Sequence, residues 1–442
     1  MKRDIIQKLY QWNNREVRKP LILKGTRQVG KTYILKQFGQ EAFRKYHYIN
    51  FEEDESLSRI FERDLKPKRI LQDLSFYLDT SIDTDHDLLI FDEIQACSKA
   101  LTSLKYFNES MPALAICAAG SLLGLHLGES SFPVGKVEYL EMFPMGFLEF
   151  LEASGQNRYS GFFRDFTGTD PIPALVHSHL WEQLKLYFVI GGLPEVVKTY
   201  ADNKDDLFNS LLLVRQKHND LIRDYLADIA KHSGKQNAMH IERIWKNVPS
   251  QLAKEQDGSA PKFRFKGVVP GVKAYSRLAG GIDWLDASGL IIKAHIVNSG
   301  EIPFSAYTKD NYFKLFCFDV GLLGSISQLP PKAILDYDYG TYKGYFAENF
   351  VAQEFRCAGV DKIYSWRERT AEVEFLREVN GKVLPVEVKS GRNTQAKSLK
   401  VFAEKYNPRY RSIMSAQNLN IDHENSIHHY PLYIAAHFPL FV

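Results

Sequence analysis

The sequence predicts an α/β fold in which residues 1–153 build a parallel sheet covered by helices on both faces. Three observations carry this. Short apolar runs alternate with helical segments, a glycine-rich turn links the first run to the helix behind it, and a later run ends in two acids.

Taken in order, residues 3–13 read as a short amphipathic helix. Pro20 introduces Leu21-Ile22-Leu23, an apolar run suited to a buried strand. A helix follows the glycine turn, from about Lys31 to Phe38. His47 to Phe51, Leu88 to Phe91, Ala115 to Ala119 and Val137 to Phe143 read as the remaining strands. The stretch from Ser154 to Asp170, rich in Gly, Ser, Thr and aromatics, reads as a loop or insertion. Residues 176–256 read as mainly helical, interrupted by a turn at Gly191-Gly192-Leu193-Pro194. Residues 272–297 run through a helix to Ser288-Gly289 and on into a strand, the pattern that ends a winged helix-turn-helix. After Pro330-Pro331 helix, strands and helix follow in turn. Three domains result, 1–153, 154–330 and 331–442, as expected of 442 residues at roughly 150 per domain.

Lys and Arg total 56 against 53 Asp and Glu, so any basic surface for nucleic acid has to be local. Cys97, Cys117, Cys317 and Cys357 are widely spaced, which argues against both a zinc site and a disulfide framework. Reduced thiols follow, and no apolar run is long enough to cross a bilayer. A cytoplasmic protein without a membrane partner is expected.

The chemistry is concentrated in two places of the first domain. Gly25-Thr26-Arg27-Gln28-Val29-Gly30-Lys31-Thr32 fits G-x-x-x-x-G-K-[ST] between a strand and a helix. Such a P-loop turns its backbone N–H groups inward around phosphates, and the helix N-terminus adds positive potential there. Lys31 would meet the β- and γ-phosphates of ATP, and Thr32 would hold Mg²⁺. The strand Asp87 to Phe91 ends in Asp92 and Glu93. Asp92 would hold Mg²⁺ through water, and Glu93 would act as general base on the attacking water. Ser121, just past the strand Ala115 to Ala119, is a candidate γ-phosphate sensor; a serine there is otherwise a turn residue.

These motifs, with Asp92-Glu93-Ile94-Gln95, Ala119-Gly120-Ser121 and Pro144 to Leu151, resemble the prokaryotic AAA-type ATPases that carry a C-terminal domain of unknown function. The resemblance continues through Gly191 to Pro194, Phe318 to Leu323, Gly344 to Asn349 and Pro385 to Gly391. It implies a P-loop NTPase core of AAA type, a helical and winged-helix middle domain, and a C-terminal domain similar to restriction endonucleases. Relatives often form rings, so a homo-oligomer is an expectation. Many members have Gly-Arg where this chain has Gly135-Lys136, which weakens the assignment of an arginine finger there; Arg27 and Arg223 are candidate substitutes, each more readily read as an ordinary solvated or salt-bridged arginine.

In the C-terminal domain Glu372 to Leu376 and Leu384 to Lys389 alternate like strands and resemble a PD-(D/E)XK core. Glu387 and Lys389 fall on one face, Glu374 comes from the neighbouring strand, and Glu348 from the preceding helix. The three carboxylates are expected to bind Mg²⁺, with Lys389 assisting. Charged residues on a half-exposed strand give the same pattern without chemistry. Glu374 also replaces the usual Asp, which argues against cleavage.

Three functions follow. One is an ATP-driven regulatory switch or remodeller in which the nuclease-like domain is a scaffold or binding surface. Another is an ATPase that binds DNA or RNA without cleaving it through the stretch around Lys273, Tyr275 and Arg277, which a solvated helix face explains equally well. The alternative is an ATP-gated, metal-dependent nuclease.

Overall fold

The computed structural model describes residues 1–121, 133–164, 166, 168, 170–256, 262–340, 342–391 and 396–440. The chain divides into two compact units, Met1–Phe143 and Pro144–Val442.

In the first unit, helix α1 (Ile5–Asn13) precedes strand β1 (Leu21–Lys24), and α2 (Lys31–Ala42) and β2 (Lys45–Asn50) follow. Helices α3 (Ser58–Glu62) and α4 (Pro67–Tyr77) lead to β3 (Asp87–Asp92), and α5 (Ser98–Ser110) to β4 (Ala115–Gly120) and β5 (Glu138–Glu141). All five strands are parallel, in the order β2-β3-β4-β1-β5. The α/β expectation therefore holds strand by strand. Both central strands β3 and β4 are wholly buried, which is why they read as unbroken apolar runs. A core of Phe51, Phe61, Phe91 and Phe107 joined by Ile and Leu side chains fills one face. Each such buried side chain contributes roughly 1.5–3 kcal/mol. The register aligns Lys24 with Gly120 and Asn50 with Asp92, so these strand ends share one edge, where open α/β sheets bind ligands.

The second unit opens with helices α6 (Phe147–Ala153), α7 (Asn157–Arg164), α8 (Ala174–Ile190) and α9 (Pro194–Asn203). The long helices α10 (Leu207–Ser233) and α11 (Lys235–Gln256) follow, then α12 (Ala279–Ala287), β6 (Ile291–Val297) and β7 (Phe313–Cys317). Helices α13 (Val320–Ile326), α14 (Pro331–Leu335) and α15 (Tyr342–Cys357) lead to β8 (Ile363–Glu368), β9 (Ala371–Val379) and β10 (Lys382–Val388). Helix α16 (Lys397–Tyr406) precedes β11 (Arg411–Ser415), β12 (Asn420–Asp422) and β13 (Ile427–Pro431). One mixed sheet holds all eight strands, ordered β12-β13-β11-β10-β9-β8-β6-β7.

Two features differ from the sequence reading. Helix α7 forms inside the stretch expected as a loop, because Phe163 packs on Tyr433 at 5.6 Å; part of that stretch lies outside the described residues. The strand β6, expected to end a winged helix-turn-helix, is part of the large sheet, since it pairs with β7 and, in parallel, with β8. From Pro144 onward the described chain forms one compact unit.

Candidate active site

The loop Gly25–Thr32 bends between β1 and α2 because its glycines take conformations closed to other residues. Gly25 has φ +154°, and a Cβ there would lie 2.3 Å from Met142 O. Gly30 has φ +94° at the N-cap of α2. This tight cradle at a helix N-terminus suits a phosphate chain.

Lys31 is 7% exposed, and its Nζ donates to Gly25 O at 2.8 Å and Thr26 O at 2.9 Å. Burial lowers its pKa to about 8, against the opposing pull of Glu93 and Asp92. The Asp92 carboxylate is held by three hydrogen bonds: Oδ2 accepts from Thr32 Oγ1 at 2.6 Å and from Tyr48 Oη at 2.9 Å, and Oδ1 from the Glu93 N–H at 3.0 Å. A hydroxyl and a carboxylate side by side are the hard oxygen donors that Mg²⁺ prefers. The residues present therefore fit a magnesium-bound phosphate chain.

Glu93 sits at φ +48°, a left-handed conformation uncommon for a residue with a side chain. Its carboxylate accepts from Gln95 Nε2, and burial raises its pKa against the opposing effects of Gln95 and Lys31. Ser121 is buried at the end of β4, and Arg27 Nε donates to its Oγ at 3.3 Å while Arg27 Nη2 pairs with Glu52 at 3.3 Å. Arg27, Lys31, Thr32, Asp92, Glu93 and Ser121 thus converge at one sheet edge. Of the other cations considered, Arg223 lies exposed on α10 and pairs with Asp220 at 3.0 Å, and Lys136 pairs with Glu109 at 3.0 Å.

Sequence reasoning missed Tyr48, Glu52 and Gln95. Tyr48 reaches Asp92 because β2 lies beside β3, and its ring carries Lys36 Nζ 3.5 Å from the centroid. Nothing in the sequence says which strand neighbours the acidic one. Gln95 is two residues after Glu93, and that spacing was a usable signal.

In the second unit Glu348, Glu374, Glu387 and Lys389 come together, but lysines take the place expected for a cation. Lys389 Nζ lies 2.5 Å from Glu387 Oε1. Lys314 Nζ spans Glu372 at 2.5 Å and Glu348 at 3.4 Å, and Glu374 Oε2 accepts from the Val388 N–H at 3.3 Å. Burial, then the charges of Glu387 and Glu348, push the Glu374 pKa well up. Among the described residues no group of three or more His, Cys, Asp or Glu is set to hold a metal ion. Of the three acids expected to bind a metal ion, Glu348 is paired with Lys314 and Glu387 with Lys389, while Glu374 is held by the Val388 N–H.

Tyr275 packs its ring on Phe265 at 5.3 Å and Phe313 at 6.0 Å, while Lys273 and Arg277 beside it are exposed. The four cysteines are unbridged. Among the described residues no helix is long and apolar enough to cross a membrane.

Residues 17–151 match the family model described as AAA domain. Residues 181–333 and 343–434 match two domains of unknown function, DUF8612 and DUF4143. No curated protein matches. Among solved structures, the chain is similar to the Walker-type ATPase PABY2304 of Pyrococcus abyssi at 17% identity and TM-score 0.46, over 74% of this chain and 95% of that one. It is similar to AMPPCP-bound DnaA from Aquifex aeolicus at 14% identity and TM-score 0.30, over 64% and 86%. Drosophila ORC bound to DNA is similar at 14% identity and TM-score 0.29, over 73% and 94%. At these TM-scores the likenesses bear on neither substrate nor partner. The family match and the loop geometry agree: the residues that match the AAA domain model, 17–151, contain the phosphate-binding loop Gly25–Thr32.

Proposed function

We propose that this chain binds MgATP at Gly25–Thr32 and hydrolyses it to drive a regulatory switch or remodelling step. The observation that carries the reading is the convergence of Lys31, Thr32, Asp92, Glu93 and Ser121 at the edge where β1, β3 and β4 end.

In this reading the loop from Gly25 through Thr26, Arg27, Gln28 and Val29 to Gly30 cradles the phosphates with its backbone N–H groups. Lys31 gives up its bonds to Gly25 O and Thr26 O to meet the β- and γ-phosphate oxygens, a charge-assisted exchange that strengthens the contact. Thr32 and Asp92 hold the magnesium, which when bound supplies neutralisation of phosphate charge. Glu93 takes the proton from the attacking water, and burial moves its pKa toward the working range of a general base. Ser121, tied to Arg27, reports the γ-phosphate end of the site.

The nuclease-like cluster serves as a scaffold here, since Lys314 and Lys389 are paired with Glu348 and Glu387. DNA or RNA, a homo-oligomer and a cytoplasmic setting are the partners and place proposed. The test is steady-state ATP hydrolysis with Mg²⁺, repeated with DNA and with RNA, followed by inspection of the nucleic acid. Hydrolysis that nucleic acid stimulates supports a remodeller acting on it. Absence of hydrolysis overturns the ATPase reading, and metal-dependent cleavage lost in Glu387→Ala would restore the nuclease.

A further inference from the structure

At the β12 end of the eight-stranded sheet, the residues just before β11 and the turn between β12 and β13 form a cavity of about 100 Å³. Arg409, Tyr410, His423, Ser426 and His428 line it. Tyr410 and His428 are both buried and stack at 3.9 Å with 18° between their planes, which makes a rigid wall. His423 meets His428 edge-on at 5.8 Å. The His428 Nδ1 is within 3.2 Å of Tyr430 Oη, so that ring is fixed from below.

The side chains that line the cavity include a cation and no anion. Arg409 has no hydrogen-bond or ion-pair partner among the described residues. Arg411, which follows on β11, donates its Nη2 to Asn425 O at 2.7 Å. The carboxylate of Asp422 is committed to its own turn, accepting from Asn425 N at 2.9 Å and Asn425 Nδ2 at 2.7 Å. His428 registers the result: burial first, then the positive charges of His423 and Arg409, lower its pKa to about 4, with Asp422 opposing and His429 adding to the effect. The cavity is also small. An apolar cavity of roughly 150 Å³ takes a benzene ring, so this one suits a compact ion better than a nucleobase.

We propose that this cavity binds a tetrahedral oxyanion of phosphate type, with the Arg409 guanidinium, the Ser426 hydroxyl and the His423 imidazole as donors. The anion is either free phosphate or the terminal phosphate of a nucleic-acid strand. It is separate from the loop Gly25–Thr32, which belongs to the other unit. An anion seated against His428 favours the charged imidazole, so binding raises the His428 titration midpoint.

The experiment is imidazole NMR of the full chain with isotope-labelled histidine, titrated with inorganic phosphate at ionic strength held constant with chloride. The expected result is a saturable shift at His423 and His428 and an upward move of the His428 midpoint. Arg409→Ala, at an exposed position that spares folding, should weaken this phosphate affinity about tenfold or more. Arg409→Lys should restore part of it. A shift that does not saturate, one that chloride reproduces, or one unchanged in Arg409→Ala overturns the proposal, as does Zn²⁺ binding in place of phosphate. A 5′-phosphorylated oligonucleotide that competes, where its unphosphorylated form does not, assigns the anion to strand ends. Competition by neither assigns it to free phosphate. Equal competition by both forms overturns a tetrahedral terminal-phosphate site.

Discussion

Thr32 Oγ1 donates to Oδ2 of Asp92 at 2.6 Å, which ties the first turn of α2 to the end of β3. Two residues sixty positions apart in the chain thereby form one oxygen-rich corner, and Tyr48 donates to the same carboxylate oxygen.

Tyr48→Phe removes one of the three hydrogen bonds that orient Asp92. The expected outcome is a several-fold rise in the Mg²⁺ concentration that half-saturates ATP hydrolysis, with affinity for ATP in the absence of Mg²⁺ unchanged. A net hydrogen bond contributes about 1 kcal/mol, which corresponds to that size of effect. A magnesium titration of the ATPase checks it, and an unchanged midpoint would remove Tyr48 from any positioning role.

Lys31→Ala should abolish ATP binding, since the buried ammonium is the main counter-charge that side chains place inside the loop. Calorimetric titration decides the matter, and equal affinity in both proteins would sink the P-loop assignment.

Glu93→Gln should retain nucleotide and slow hydrolysis by about 10²–10⁴-fold, because an amide cannot accept the proton from water. Single-turnover measurements separate the two steps. Turnover at the wild-type rate would mean that another group is the base.

Lys389→Met should lower the melting temperature without touching ATP hydrolysis. It leaves Glu387, already 3% exposed and with Oε2 lacking a hydrogen-bond partner, without its cation. Leaving a buried group unsatisfied costs about 1–3 kcal/mol. The double variant Glu387→Gln/Lys389→Met should recover part of the loss; if it melts lower still, the pair is not coupled as described.

Glu354 on α15 should make stability depend on pH. It accepts from the Phe147 N–H at 3.1 Å, and burial first, with Glu149 adding, raises its pKa from 4.5 to about 8. The folded state then holds a proton that the unfolded chain releases earlier. The stabilisation is present below pH 4.5 and is lost as pH rises through about 8. Denaturant midpoints across this range should fall in the wild type and fall less in Glu354→Gln, and parallel curves would argue against Glu354 as the source.

What the sequence determined by itself is local. Strands β1, β3 and β4 were legible because buried parallel strands are unbroken apolar runs, and the loop because glycines at fixed spacing, followed by Lys31 and Thr32, leave little choice of backbone path. The strand β6 was legible as well, but only the distant β8 decides which sheet it joins. Glu374 and Glu387 were legible on neighbouring alternating strands, and Glu348 on the helix before them. What surrounds them was not, because Lys314 comes from β7, far earlier in the chain, and it meets Glu348 and Glu372 only once β7 is placed in the sheet. Tyr48 is the same case in the first unit. Side-chain chemistry within a motif is written in the sequence, whereas the long-range partner that orients or neutralises it is fixed by which strands become neighbours.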